Sequence, residues 1–162
     1  MLTDDVAMQE IERKFLIKEN EWQPKNRGFK IVQGYLSVEK ERVVRIRIKD
    51  DKAFLTIKGN HRGITRTELE YEIPVDDAAV LLEMCLDYPV EKIRYLEKVG
   101  DFLWEIDVFE GINSGLILAE VELTSEDQQI ELPDWIGKEV STDHRYYNAW
   151  LSQNPYSTWK NV

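Results

Sequence analysis

Polar and apolar residues alternate along most of this chain, and a period of two is the signature of a β-strand with two unlike faces. The alternation predicts eight strands, at about residues 9–18, 31–38, 43–49, 53–59, 65–73, 91–98, 102–109 and 117–123. Turn chemistry separates them. Lys49-Asp50-Asp51-Lys52 is a polar hairpin, Gly59 to Gly63 a loop, Gly100-Asp101 a tight turn and Gly111 to Gly115 a longer connection. Helical spacing is scarcer. Asp76 is placed to cap a segment that reaches Asp87, with Pro89 beyond its end. Ser125 with Gln128 forms a capping-box pattern for a short second helix. A third runs from Asp143 to Ser152, and Trp22-Gln23-Pro24 has room for one more turn. Antiparallel strands with few short helices predict a mainly β (α+β) domain, and eight strands suffice to close a barrel.

Strand alternation sends every second side chain to one face. One face carries Ile11, Phe15, Ile17, Ile46, Ile57, Leu69, Ile106 and Val121. The other carries Glu10, Glu12, Lys14, Gln33, Tyr35, Arg45, Arg47, Lys58, Arg66, Glu68, Glu70, Glu72, Lys92, Arg94, Glu105, Asp107, Glu120 and Glu122. The ordinary arrangement for such a sheet is apolar in and charged out.

The signs of the charges complicate that arrangement. Glu10/Glu12, Arg45/Arg47, Lys92/Arg94, Glu105/Asp107 and Glu120/Glu122 are like-sign neighbours two residues apart. Such side chains lie about 7 Å apart on one face. They repel by about 0.6 kcal/mol in water and about 2.4 kcal/mol at an effective dielectric of 20. A surface shaped for solubility alone would intersperse the signs. Like-sign pairing makes sense where a ligand of opposite charge sits on each cluster. The basic pairs suit a polyanion, and the carboxylate pairs suit a hard divalent cation such as Mg²⁺ or Mn²⁺. A metal with a cationic cradle is recurring equipment for phosphoryl transfer. The same face is therefore equally able to line a lumen, and the pattern alone leaves both orientations open.

Composition narrows the function classes. The chain has 162 residues, enough for one domain with a sizeable core, and a formal net charge of -10. That balance argues against binding nucleic-acid backbone, while still allowing a local basic pocket. The single cysteine, Cys85, excludes an intramolecular disulfide and a cysteine-based zinc site, and its apolar helical setting predicts an inert thiol. His61 and His144 are far apart in polar surroundings and read as solvated loop residues. No apolar run approaches the ~18 residues of a membrane helix. The acidic stretch Met1 to Ala7 resembles neither a signal nor a transit peptide, so the expectation is a cytoplasmic protein with no membrane partner.

Glu10-Ile11-Glu12-Arg13-Lys14 resembles the E-x-E-x-K signature of the CYTH family, the triphosphate tunnel metalloenzymes. The resemblance continues in order through Gln33-Gly34-Tyr35-Leu36, Arg45-Ile46-Arg47, Thr56-Ile57-Lys58-Gly59, Arg66 with Glu68/Glu70/Glu72, Glu91 to Tyr95, Glu105 to Phe109, Ala119 to Glu122 and Asp143 to Asn148. It covers roughly residues 9–150 of a single CYTH-like domain spanning 1–162, with 1–7 as an N-terminal extension. It implies an eight-stranded antiparallel β-barrel, a triphosphate tunnel, with its charges in the lumen and a few short helices packed outside. It also implies site roles. Lys14, Arg45, Arg47, Lys58, Arg66 and Arg94 would cradle the triphosphate, and Glu10, Glu12, Glu70, Glu72, Glu120 and Glu122 would hold Mg²⁺ or Mn²⁺. Lys92 and Tyr35 would assist the leaving group, and Asp107 would serve the attacking water. Asp143 to Leu151 would form a helix near one tunnel mouth.

The chemistry implied by this resemblance is metal-dependent attack of water on the terminal phosphorus of inorganic triphosphate. A nucleoside or thiamine triphosphatase is the nearest alternative, followed by an adenylyl cyclase of the class IV type. A non-catalytic polyphosphate-binding module is the alternative of another class. No lumen-parity aromatic set beyond Tyr35 and Phe54 offers a platform for a base, which favours the inorganic substrate. The expected assembly is a monomer or homodimer.

Overall fold

The computed structural model describes residues 8–159. Nine strands follow one another: β1 (Gln9–Ile17), β2 (Phe29–Ser37), β3 (Val43–Lys49), β4 (Lys52–Arg62), β5 (Thr65–Ile73), β6 (Leu86–Val99), β7 (Phe102–Phe109), β8 (Ile117–Glu122) and β9 (Ile136–Glu139). Helix α1 (Val75–Glu83) joins β5 to β6, and α2 (Asn148–Gln153) follows β9. Short 3-10 turns occupy Gly111–Asn113, His144–Tyr146 and Tyr156–Thr158. The Met1 to Ala7 extension lies outside the described residues.

The strands form one antiparallel sheet in the order β5-β4-β3-β2-β6-β7-β8-β1-β9, and a further pairing of β5 with β1 closes it into an eight-stranded barrel. β1 is the seam. Along one edge it pairs with β8, from Glu12↔Glu122 to Leu16↔Leu118. Along the other it pairs first with β5, at Gln9↔Thr67, Glu10↔Arg66 and Ile11↔Thr65, and then with β9, at Phe15↔Glu139 and Ile17↔Ile136. The unanticipated strand β9 thus occupies the edge of β1 that β5 leaves free, which removes an exposed row of backbone donors and acceptors.

The apolar face of the sheet points outward and is covered. α1 lays Ala78, Leu81 and Leu82 over Ile46, Ala53 and Leu55 of β3 and β4. Gly34 permits this close approach, because a Cβ there would stand 2.9 Å from both Cβ and Sγ of Cys85. On the far side Phe15, Trp104, Ile106, Val121 and Trp135 form a second core, with Trp22 edge-on to Trp135. A third cluster joins Val90, Phe109 and Leu118 to Tyr146 and Leu151 of the C-terminal segment. Those three strand residues have lumen parity, so the C-terminal segment packs against the inside of the barrel wall rather than outside it.

Four helical expectations change. The first helix ends at Glu83, and β6 begins at Leu86, five residues before the predicted strand start of 91. The Ser125/Gln128 segment is a turn: Gln128 Oε1 accepts from Thr124 N and Oγ1, while Ser125 Oγ donates to Asp127, so the capping groups satisfy one another without a helix. The 143–152 stretch breaks into a 3-10 turn and α2, with Tyr147 extended between them at φ -74° and ψ 134°. Trp22 lies in irregular chain, held by edge contacts to Tyr95 and Trp135.

Candidate active site

Closure of the barrel gathers the charged face into one cavity of about 740 Å³. Its walls include Glu10, Glu12, Lys14, Tyr35, Arg45, Arg47, Lys58, Arg66, Glu68, Glu70, Lys92, Arg94, Glu105, Glu120 and Glu122. Cross-strand pairing shows how the strands share the work. Arg45 faces Tyr35 and Thr56, Arg47 faces Gln33, Lys58 faces Glu68, Arg94 faces Asp107, and Glu120 faces both Glu105 and Lys14.

Strand order sorts the signs. The adjacent strands β4, β3, β2 and β6 bring Lys58, Arg45, Arg47, Lys92 and Arg94 to the lumen. The adjacent strands β7, β8, β1 and β5 bring Glu105, Glu120, Glu122, Glu10, Glu12, Glu68 and Glu70. Half of the wall is cationic and the facing half anionic. Lys14 and Arg66 are the exceptions, each a cation set among acids.

Ion pairs hold the two halves together where they meet. Lys92 Nζ lies 2.6 Å from Asp107 Oδ2, and Arg94 takes the same carboxylate through Nε at 2.7 Å and Nη2 at 2.9 Å. Lys58 Nζ bridges Glu10 at 3.1 Å and Glu68 at 3.2 Å. Lys14 Nζ lies 3.4 Å from Glu120 and donates to the Tyr146 carbonyl at 3.1 Å. Arg45 Nη2 donates to Thr56 Oγ1 and Glu70 Oε2, which fixes Glu70 at the cavity wall. Arg66 Nε donates to the Gly59 carbonyl, while the buried Arg45 Nε has no partner among the described residues.

The cationic half is short of negative charge. Burial, then the like charges of Arg45 and Arg94, bring Arg47 down to about 9, so it remains a cation at neutral pH but a strained one. Burial brings Lys92 down to about 7, with Arg94 and Arg47 adding to the shift and Asp107 opposing it. Burial and then Arg66 bring His61 down to about 4. An anion placed among these groups relieves all of these shifts.

The anionic half is short of positive charge. Burial, then Glu120 and Glu10, raise Glu12 well above the usual carboxylate range. Burial and a hydrogen bond with Glu10 raise Glu68 to about 7. Burial, Glu10 and Glu105 also raise Glu122. Among the described residues, no three His, Cys, Asp or Glu side chains converge closely enough to hold a metal ion as they stand. Lys58 and Lys14 sit against Glu10 and Glu120 instead. The donor set itself is all carboxylate oxygen and mutually repulsive, which fits a hard divalent cation.

Two sequence-predicted residues take other positions. Glu72 is exposed at the end of β5 and does not line the cavity. Its lumen-parity cross-strand neighbour is Phe54, one position beyond the Thr56–Glu70 pair, where the barrel wall ends. Asp107 is fully buried behind the cavity wall. Burial alone would raise its carboxyl, but Arg94 and Lys92 outweigh that and hold it far below the carboxylate range. Both of its oxygens are spent on these cations, so it holds them in place and is unsuited to taking a proton from water.

Sequence reasoning placed the C-terminal segment near a tunnel mouth but named none of its side chains in the site. Ser141, His144, Tyr147, Asn148, Ala149, Trp150 and Gln153 all line the cavity. His61 is half-buried, not solvated, and stacks on Tyr147 with ring centroids 4.9 Å apart. Lys14 Nζ lies 5.4 Å above the same tyrosine ring, and His144 meets Trp150 edge-on. No period-two signal exists in this irregular segment. Cys85 is half-buried, as an inert thiol should be; its Sγ donates to the Leu81 carbonyl, and burial raises its pKa.

A charge-lined, closed antiparallel barrel of eight strands defines a tunnel protein built to bind a highly charged small molecule. The CYTH domain matches residues 8–148, and the chain belongs to the CYTH family. It is 44% identical over 153 residues to an inorganic triphosphatase of Acetivibrio thermocellus, covering 94% of this chain and 98% of that one. It is 38% identical over 149 residues to an inorganic triphosphatase of Nitrosomonas europaea, covering 90% and 97%. A crystal structure of an inorganic triphosphatase superposes with a TM-score of 0.64 at 36% identity, over 94% of this chain and 95% of that one. No helix among the described residues is long and apolar enough to cross a membrane.

Proposed function

We propose that this chain hydrolyses inorganic triphosphate, releasing phosphate and leaving pyrophosphate. The observation that carries the reading is the division of one barrel cavity into a cationic and an anionic half. A triphosphate satisfies the first and a divalent cation, Mg²⁺ or Mn²⁺, the second. A pure polyanion binder has no use for the second half.

Arg45, Arg47, Lys58, Arg66 and Arg94 orient the phosphates, the arginines by paired N–H donors that fix the phosphate chain in line for attack. Lys14 holds Glu120 and adds charge at the seam. Lys92, with its proton affinity lowered to about 7, is matched to giving a proton to the departing pyrophosphate oxygen at neutral pH. Tyr35 lines the same cavity and is the other candidate to assist the leaving group. Asp107 anchors Lys92 and Arg94. Glu10, Glu12, Glu120 and Glu122 would hold the cation, with Glu68 and Glu70 as the further acidic pair. The cation, when bound, screens phosphate charge and lowers the pKa of water. The chain makes one CYTH-like domain over 1–162, and its single cysteine suits a reducing, cytoplasmic setting.

A nucleoside or thiamine triphosphate is the second reading, favoured by the rings that the C-terminal segment brings to the cavity. His144, Tyr147 and Trp150 add stacking surfaces to the Tyr35 and His61 rings that the strands supply. Phosphate release from inorganic triphosphate, ATP and thiamine triphosphate, each with Mg²⁺ or Mn²⁺, tests both. A kcat/KM for inorganic triphosphate at least about tenfold above the others supports the first reading. The reverse order supports the second. Tight metal-independent binding of triphosphate without turnover overturns both and marks a binding module.

A further inference from the structure

Two neutral amides lie at the centre of the cationic half. Gln33, on β2, is 0% exposed. Its Oε1 accepts from Arg47 Nε at 2.7 Å, and its Nε2 donates to Tyr35 Oη at 3.1 Å and to Asn148 Oδ1 at 2.9 Å. Asn148, the first residue of α2, uses the same Oδ1 to accept from Lys92 Nζ at 2.9 Å.

We infer that Gln33 and Asn148 form a positioning bridge that sets the direction of the hydrogen bonds of Arg47, Tyr35 and Lys92 for catalysis, so that the C-terminal segment completes the reacting end of the tunnel. The inference rests on the hydrolase reading above. The polarity of the bridge is forced. Guanidinium and ammonium groups only donate. Arg47 therefore fixes the Gln33 oxygen toward itself, and Lys92 fixes the Asn148 oxygen toward itself. The Gln33 amide is left with two N–H groups, which match its two recorded acceptors.

Two consequences bear on catalysis. The Tyr35 oxygen accepts from Gln33, so its own O–H is free to donate into the cavity that Tyr35 lines. Lys92 has three N–H donors; Asp107 and Asn148 take two, and the third is left for a phosphate oxygen. Without Asn148 the ammonium is free to rotate about one remaining anchor. The charged groups around Lys92 are Asp107 from β7, Arg94 from β6, Arg47 from β3 and Glu120 from β8. Lys92 Nζ also lies 5.4 Å from the centroid of the Phe109 ring of β7, but of the two groups that accept its hydrogens Asn148 is the neutral one and the one that comes from outside the barrel strands.

The test uses the full chain with Asn148→Ala, Asn148→Asp and Gln33→Met. For Asn148→Ala, kcat on inorganic triphosphate falls about 10- to 100-fold while KM stays within about threefold. Asn148→Asp keeps the acceptor and recovers most of that loss, but its charge holds the proton on Lys92, so the alkaline limb of the pH profile moves up by about one unit. Gln33→Met, which leaves Arg47 and Asn148 without their partner, also lowers kcat and carries the test if Asn148→Ala does not fold. Retention of wild-type kcat by either variant overturns the bridge. So does a loss of kcat that merely tracks the folded fraction, or equal behaviour of the alanine and aspartate variants. If the wild-type chain turns over no triphosphate, the hydrolase reading fails instead. The bridge is then judged by nuclear magnetic resonance titration of Lys92 Nζ. A raised Lys92 pKa in Asn148→Asp supports it, and an unchanged one overturns it.

Discussion

Lys92 Nζ and Asp107 Oδ2 meet at 2.6 Å with both side chains 1% exposed, and Arg94 shares the same carboxylate. A buried carboxylate between two cations is the most expensive kind of contact to break. Asp107→Asn keeps the shape and removes the charge, leaving Lys92 and Arg94 uncompensated. The expected loss of stability is about 3–5 kcal/mol, read from urea unfolding. A loss below about 1 kcal/mol would show that the pair contributes little.

Burial, then the neighbouring Glu120 and Glu10, raise the Glu12 carboxyl well above the usual carboxylate range, and a cation at this point would offset that repulsion. Glu12→Gln is expected to abolish metal-dependent turnover while leaving the circular dichroism spectrum unchanged. With chelator present its melting temperature should equal or exceed that of the wild type, because a strained acid has been neutralised. Added Mg²⁺ or Mn²⁺ should raise the wild-type melting temperature and leave the variant's unmoved. A fully active variant sinks the assignment.

Glu68 titrates at about 7 in the fold and near 4.5 when exposed. A raised carboxyl favours the fold below the unfolded pKa, and that contribution is lost as pH rises through the folded one. The cation-free wild type should therefore lose stability relative to Glu68→Gln between about pH 4.5 and 7. Melting curves of the two proteins in chelator across that window measure it. Parallel curves would refute the shift.

Arg47 is a cation crowded by Arg45 and Arg94, with its Nε on Gln33. Arg47→Ala should raise KM for triphosphate at least about tenfold, the worth of one charge-assisted contact. Arg47→Lys should recover little of it, since an ammonium lacks the planar fork. Steady-state kinetics decide, and a lysine variant with wild-type KM would count against bidentate binding.

Most of the barrel was legible in the sequence because parity is a local property. Glu10, Glu12 and Lys14 had to share a face whatever their neighbours were. Which strand lies beside which is not local, so the segregation of Lys58, Arg45, Arg47, Lys92 and Arg94 from the acids emerged only with the fold. Parity also says nothing of where a wall ends, which is why Glu72 was grouped with Glu70. The resemblance, which carries no depth, gave Asp107 to the attacking water, whereas the fold sets it behind the wall. The C-terminal residues were hidden for another reason. Tyr147 and Asn148 sit in extended and barely helical backbone with no periodicity, and Gln33 and Asn148 carry no charge to draw notice.

The seam at β1 has a consequence for how the protein is made. β1 is made before β5, β8 and β9 and must wait for them before both its edges are paired, and the closing contact Glu12↔Glu122 spans nearly the whole barrel-forming chain. Contacts so distant in sequence form late. Through most of synthesis the basic strands β3 and β4 exist without the acids of β7 and β8 that will face them across the lumen. Until those acids arrive the basic strands lack their lumen partners, and the yield of folded protein is expected to fall when closure of the barrel is slowed.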